Sequence, residues 1–382
     1  MKERKPVYQW AVVGAGPGGI AIVGKLIDNG VDPESILWVD PEFMVGDLGT
    51  KWSKVRGNTM ANRQVSFLRG SEAFGPQSEI SKFPIFSLNQ QETCELSYAV
   101  EPLQWITERL KSRVAWVESR ATGLRMEGRA WRLSTTAGDV TVKNVVLALG
   151  SDAKKLDYDK PVIALEDAFD SERLATHVKR GDKIAVFGSL HSGMYVTMNL
   201  IEDIGARVVN IYRSDLRFAK YVGKDIENDN DGLKEPRLVK WVHENVEEKC
   251  HPNLERVKVS DETPRSEIED HIRGCSKVVY GIGFGPRGIP IEGVAPSACN
   301  NKTGEIAPGL FKFGFMCPER VLNVSGREEN NVGLFKFMNY ATRIVPIWMT
   351  SWERAGVQLR GGTISAAVHT STPTPAKLLA AH

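Results

Sequence analysis

Tyr8-Gln9-Trp10-Ala11-Val12-Val13 runs into Gly14-Ala15-Gly16-Pro17-Gly18-Gly19, and Ile36-Leu37-Trp38-Val39-Asp40 follows. The first six residues have the composition of a strand. Beyond the glycines, Ile20, Val23 and Ile27 recur at helical spacing, and Gly30 is placed to stop that helix. The stretch therefore reads as strand, glycine turn, helix, strand. In this context each glycine has its own task. Gly14 makes the tight turn, Gly16 lets a pyrophosphate approach the backbone, and Gly19 lets helix and strand pack closely. Pro17 and Gly18 lie in the first helical turn, where free N–H groups and a partial positive charge favour phosphate. Asp40 follows Gly19 by about 20 residues, the place of an acid that accepts hydrogen bonds from ribose hydroxyls.

A second copy of this pattern begins at Lys183. Ile184-Ala185-Val186-Phe187 is a strand, Gly188-Ser189-Leu190-His191-Ser192-Gly193 a turn, Met194 to Ile204 a helix ended by Gly205, and Val208 to Tyr212 the next strand. The copy is incomplete, because Leu190 stands where the middle glycine would be. Arg213 and Ser214 follow the last strand, and no acidic residue adjoins Arg213 in the sequence. A guanidinium at that place suits the 2′-phosphate of NADP better than a bare ribose. His191, Ser192 and the two glycines complete this nucleotide site. His191 is placed to reach the nicotinamide ribose or the diphosphate, and a turn histidine is as often structural. The rival reading is a dinucleotide-like fold whose site has decayed.

The rest of the chain bounds these readings. Its 382 residues suit two domains. Apolar residues make up 42% and charged residues 25%, the balance of a soluble globular enzyme. The net charge of +2 gives no field that points to nucleic acid or an anionic membrane. No apolar run approaches the ~20 residues of a membrane span. The basic start Met1 to Lys5 and the apolar run after it do not make a signal peptide, since the glycines interrupt the run. A cytoplasmic protein is expected. The five cysteines include no Cys-x-x-Cys pair, and no His/Cys cluster has metal-ligand spacing, so no metal is assigned.

Pro41 to Ser97 is rich in Gly, Ser, Asn and Gln, with little periodicity, which suits a functional covering. Glu101 to Leu110 reads as a helix. Residues 114–149 read as a strand and a β-meander that ends in the buried run Val145-Val146-Leu147-Ala148-Leu149-Gly150. Leu238 to Val246 is a helix, Asp229 to Gly232 an exposed turn, and Ser276 to Tyr280 a strand entering Gly281-Ile282-Gly283-Phe284-Gly285-Pro286. Gly333 to Ala355 is expected as a helix interrupted at Pro346, and residues 363–382 as a disordered tail.

Two such units, a β-meander between them, and strands ending Ala148-Leu149-Gly150 and Gly281-Ile282-Gly283-Phe284 resemble the two-dinucleotide-binding-domain flavoproteins, the pyridine nucleotide-disulfide oxidoreductase-like superfamily. The resemblance implies an α/β fold with two Rossmann-like domains. The FAD domain would be discontinuous, residues 1–157 and 285–362, with the NAD(P)H domain, 158–284, inserted in it. It implies FAD at the complete turn and NADPH at the incomplete one. It places Ala148 and Gly150 beneath the FAD and Gly314 in a late strand near the flavin. It sets the helix opening at Asn330-Asn331 with its N-terminus toward the flavin ring.

Within the superfamily, Asp47-Leu48-Gly49-Thr50-Lys51-Trp52 resembles the Gly-Gly-x-Trp segment of class B flavin monooxygenases, whose tryptophan lies close to the FAD. Asp47 and Leu48 depart from that pattern, and residues 162–182 lack the Phe-x-Gly-x-x-x-His hallmark. The resemblance makes Asn58 and Asn62 candidates for assisting oxygen chemistry at the flavin. Trp52, Phe67, Phe74, Phe83 and Phe86 either line a substrate pocket or fill core beneath a long loop, and core is the commoner use. The expected function is a FAD-dependent oxidoreductase drawing hydride from NADPH, foremost a monooxygenase of a small molecule. The alternatives are a reductase passing electrons to a quinone, an iron–sulfur protein or a disulfide, and a non-catalytic flavin-bound sensor or scaffold. Flavoproteins of this shape often dimerise, so a homodimer is an open expectation.

Overall fold

A strand that is apolar at every position must be covered on both faces, and Ile36–Asp40 is buried throughout. The structure, a computed structural model, describes residues 7–222, 225–229, 232–295, 297–323 and 325–354. Ile36–Asp40 lies inside a sheet of order Glu305–Ala307, Leu310–Lys312, Gly138–Leu147, Val7–Val13, Ile36–Asp40, Ala115–Glu118. Its centre is parallel: Val13 is paired with Val39 on one side and Leu147 on the other. The meander strands Ala121–Glu127 and Ala130–Thr135 attach through Gly138–Leu147. The chain leaves this sheet after Leu147 and returns to it at Glu305.

The second sheet lies between those two points. Its order is Leu254–Lys258, Arg207–Tyr212, Lys183–Phe187, Lys277–Tyr280, all parallel. The architecture is thus α/β, with a glycine turn and helix following an inner strand in each sheet. Phe284–Pro286 pairs antiparallel with Ser151–Ala153 and links the two parts.

Several local expectations change. Residues 41–97 carry more structure than their composition suggests, including helix Ala61–Leu68 and the strand pair Arg56–Met60 with Thr93–Glu95. Phe67 and Phe74 are fully buried, and Phe83 and Phe86 pack against the same core, so these four fill core. The last helix runs unbroken from Leu334 to Arg354 through Pro346. Packing of Tyr340, Ala341, Ile344, Val345 and Trp348 into the core outweighs the ~3 kcal/mol that an interior proline costs. Its expected end at Ala355, the chain start, part of the Asp229 to Gly232 turn and the tail 363–382 lie outside the described residues.

Cys299 and Cys317, 18 positions apart, form a disulfide. Cysteine spacing alone did not single out this pair. Among the described residues no helix is long and apolar enough to cross a membrane, and no group of three or more His, Cys, Asp or Glu is placed to hold a metal ion.

Candidate cofactor and substrate site

The first glycine turn is closed by contacts that admit no side chain. A Cβ on Gly14, whose φ is +111°, would stand 2.4 Å from the Ala148 carbonyl oxygen, and one on Gly19 would stand 1.9 Å from the Gly14 carbonyl oxygen. Trp38 Nε1 donates to that same Gly14 oxygen at 2.9 Å. Gly16 differs, because a Cβ there would find its nearest atoms at 3.9 Å. No protein atom requires it to be bare, which leaves room there for a ligand. Helix Pro17–Asp28 starts at Gly16 with no side-chain cap, which leaves its first amides for a ligand.

These residues line a cavity of about 1430 Å³. Gly14, Gly16, Pro17, Gly18, Asp40, Trp52, Asn58, Ala148, Gly150, His191 and Gly314 all face it. An uncapped helix start, a glycine with room for phosphate and a cavity this large fit a dinucleotide with space beyond it. The first turn therefore passes the test for FAD on its own geometry.

Asp40 is buried, and its carboxylate accepts the amides of Ala15 (2.7 Å), Glu42 (2.9 Å) and Phe43 (2.7 Å). A carboxylate offers about four acceptor sites, so one remains for a ribose hydroxyl. Glu42, which sequence reading passed over, lines the same cavity. Phe43 and Val45 have left-handed backbones, φ 52° and 60°. They fold the following loop against Gly16, where the Gly46 Cβ position lies 2.9 Å from the Gly16 Cα.

Arg287 was also missed. Its guanidinium donates to Asp152 at 2.8 Å, to Asp47 at 2.5 Å and to the Leu149 carbonyl at 3.3 Å. It joins the Trp52 loop, the end of Gly138–Leu147 and the segment after Phe284–Pro286. The available signal was its place just after Gly285-Pro286. Trp52 itself stacks edge-on against Phe169 and Phe284, with ring centres 5.8 and 6.1 Å apart.

The two asparagines separate. Asn58 faces the cavity, and its Oδ1 accepts the Thr59 hydroxyl at 3.1 Å. Asn62 does not line it; its amide donates to the Gln90 carbonyl and its Oδ1 is buried without a partner. Asn331 is likewise withdrawn, since its side chain donates to Glu319 at 2.7 Å. The last helix starts at Leu334, so Gly333 and Leu334, rather than Asn330-Asn331, bring its N-terminus to the cavity.

The second turn repeats the closure of the first. A Cβ on Gly188, φ +109°, would stand 2.3 Å from the Gly281 carbonyl oxygen, and one on Gly193 would stand 2.1 Å from the Gly188 oxygen. Of this turn only His191 reaches the large cavity; Ser192, Arg213 and Ser214 lie away from it. Burial and the nearby Lys234 charge push the His191 pKa down to about 4, so its ring is neutral at neutral pH. Its Nδ1 is sealed from solvent and has no partner. The expectation that Arg213 lacks an acidic partner is corrected: Asp261 folds back onto it from 48 positions away. Both side chains are largely exposed, so the pair is weak and a phosphate can displace it. The Ser214 carbonyl accepts the Ser189 hydroxyl.

Residues 8–304 match the family described as pyridine nucleotide-disulphide oxidoreductase. The chain belongs to that family. A curated relative, the monooxygenase AgnR1 of Paecilomyces divaricatus, is 26% identical over 89% of this chain and 97% of its own length. Among solved structures, the FAD-bound cadaverine monooxygenase of Erwinia amylovora superposes with a TM-score of 0.62 at 13% identity, over 96% of this chain and all of that one. The ornithine hydroxylase of Pseudomonas aeruginosa gives 0.60 at 12%, over 90% and 99%. A bacillithiol disulfide reductase of Bacillus cereus gives 0.58 at 15%, over 91% and 100%. At these identities the structures show a shared fold. Family and first-turn geometry together make the chain a FAD-dependent oxidoreductase.

Proposed function

We propose that the protein is an NADPH-dependent flavin monooxygenase acting on a small molecule. The observation that carries this reading is the aromatic part of the cavity lining. Trp52, Phe284, Phe315 and Phe335 line the same cavity as Asn58 and the glycine turn that fits the dinucleotide. These rings give the cavity an apolar surface, with Phe284 and Phe315 partly exposed and the Asn58 amide beside them. Bound FAD would supply the redox and oxygen chemistry.

The residues of the chain place and shield the partners. Gly14, Gly16 and the start of Pro17–Asp28 hold the pyrophosphate, and Asp40 and Glu42 face the ribose. Asn58 offers an amide to the reacting face. Arg213 holds the 2′-phosphate after release from Asp261, and His191, neutral, accepts or donates one hydrogen bond at Nδ1 where the second turn meets the cavity. The full-length likeness to a named monooxygenase agrees with this reading. A reductase working through its own disulfide is less well supported, because neither Cys299 nor Cys317 is among the residues lining the cavity.

The test is anaerobic reduction of the FAD-loaded protein. NADPH should bleach the visible flavin band faster than NADH. Bleaching by neither nucleotide would leave the non-catalytic reading standing in its place.

A further inference from the structure

The cavity separates its charges. The acids that line it are Asp40, Glu42, Asp47 and Asp152, all beside the glycine turn or the Arg287 clasp. The wall formed by Ala61–Leu68 and the start of Leu334–Arg354 contributes Arg63, Gln64, Phe335 and Phe337 and no acid. Arg56 already faces Glu235 at 3.4 Å and donates to Thr93. Lys51 has Asp47 at 3.6 Å and Glu166 at 3.8 Å. Arg63 pairs with no carboxylate among the described residues. Its guanidinium instead lies over the Phe335 ring, 4.8 Å from the centre.

That contact has a chemical consequence. Stacking occupies the face of a guanidinium and leaves its N–H donors in the plane, where they match a carboxylate in two parallel hydrogen bonds. The neighbouring Gln64 is 2% exposed and faces the same cavity, and its Oε1 has no partner. Behind the wall, Lys234 and Lys336 share Asp229, at 2.5 Å each. The local field is positive, and Gln64 offers a free acceptor beside it.

We propose that the substrate has an apolar, largely flat body bearing one anionic oxygen group, a carboxylate or a phenolate, and that Arg63 binds this group. Gln64 then accepts a hydrogen bond from a neighbouring hydroxyl. The assignment rests on the monooxygenase reading for the role of the cavity, and it names the substrate class. It also separates this protein from amine hydroxylases, since a protonated amine beside Arg63 would meet that cation and find no acid on the same wall.

The experiment uses the FAD-loaded full chain without NADPH, so it is independent of any oxygen step. 2-Naphthoate, 2-naphthamide and 2-naphthylmethylamine are titrated by calorimetry and by the change in flavin absorbance. The acid should bind at least about tenfold tighter than the neutral amide or the protonated amine. Arg63→Gln should abolish that preference while leaving flavin content and amide affinity unchanged, and Arg63→Lys should restore part of it. Acid binding no tighter than amide binding, including no binding at all, overturns the proposal. So does an acid preference that survives Arg63→Gln. Failure of the oxygen reaction with this preference intact would instead count against the monooxygenase reading alone.

Discussion

The Ala148 carbonyl oxygen stands 2.4 Å from the place a Cβ on Gly14 would occupy. The second turn reproduces that relation between Gly188 and Gly281, at 2.3 Å. Gly16 stands apart from all of these, since a Cβ there would make only ordinary contacts, at 3.9 Å. Gly16→Ala should therefore fold with an unchanged melting temperature in the flavin-free state and still lose FAD retention by about tenfold or more, because the methyl group enters the phosphate's place. Gly19→Ala should fail earlier, as poor soluble yield, since its Cβ meets backbone. Flavin content per chain and thermal melts of both variants read this difference.

On the proposed function, the Arg213–Asp261 pair would set the coenzyme preference. Arg213→Ala should raise the KM for NADPH by about tenfold or more and leave that for NADH within about twofold, as expected for a lost phosphate contact. Asp261→Ala frees the guanidinium and should lower the KM for NADPH. Steady-state NADPH and NADH oxidation by the two variants checks both signs.

His191 predicts a pH dependence. Its folded pKa, about 4, lies below its unfolded value near 6.5. Between these values the unfolded chain binds more protons, so stability falls as pH drops through that window. The contribution of this one group is on the order of 3 kcal/mol. His191→Gln should flatten the fall in melting temperature between pH 6.5 and about 4. A slope that does not change with the substitution would remove His191 from the account.

The disulfide gives a direct count. Cys94, Cys250 and Cys275 are free, so a thiol assay in denaturant should find three thiols before reduction and five after. Closing a loop of this size stabilises by roughly 3 kcal/mol in the chain-entropy account. Cys299→Ser should therefore lower stability by about that amount in chemical denaturation. Five thiols in protein isolated without reductant would mean that the pair is not formed in its native compartment.

Much of the frame was legible because glycine patterns encode backbone contact. Gly14, Gly19, Gly188 and Gly193 each sit where no Cβ fits, and the strands beside them are continuous apolar runs. What failed was the reach of side chains. Asn62 and Asn331 have the right chemistry in the right segments, yet the Asn62 side chain is buried off the cavity with its Oδ1 unpartnered, and the Asn331 side chain turns to Glu319. Arg213 and Asp261 are 48 positions apart, a distance over which a linear pattern carries no pairing information. Arg63 and Arg287 gave no motif at all. Their importance comes from where three or four separate segments converge on one cavity, and only the folded chain displays that.

The oxygen step tests the central claim most directly. The FAD-loaded protein is reduced anaerobically with one equivalent of NADPH, oxygen is admitted, and the flavin spectrum and hydrogen peroxide are followed together. A monooxygenase should show a spectrum distinct from oxidised and reduced flavin that outlasts mixing, with peroxide released only as it decays. Immediate return to the oxidised spectrum with stoichiometric peroxide and no such phase would contradict the account.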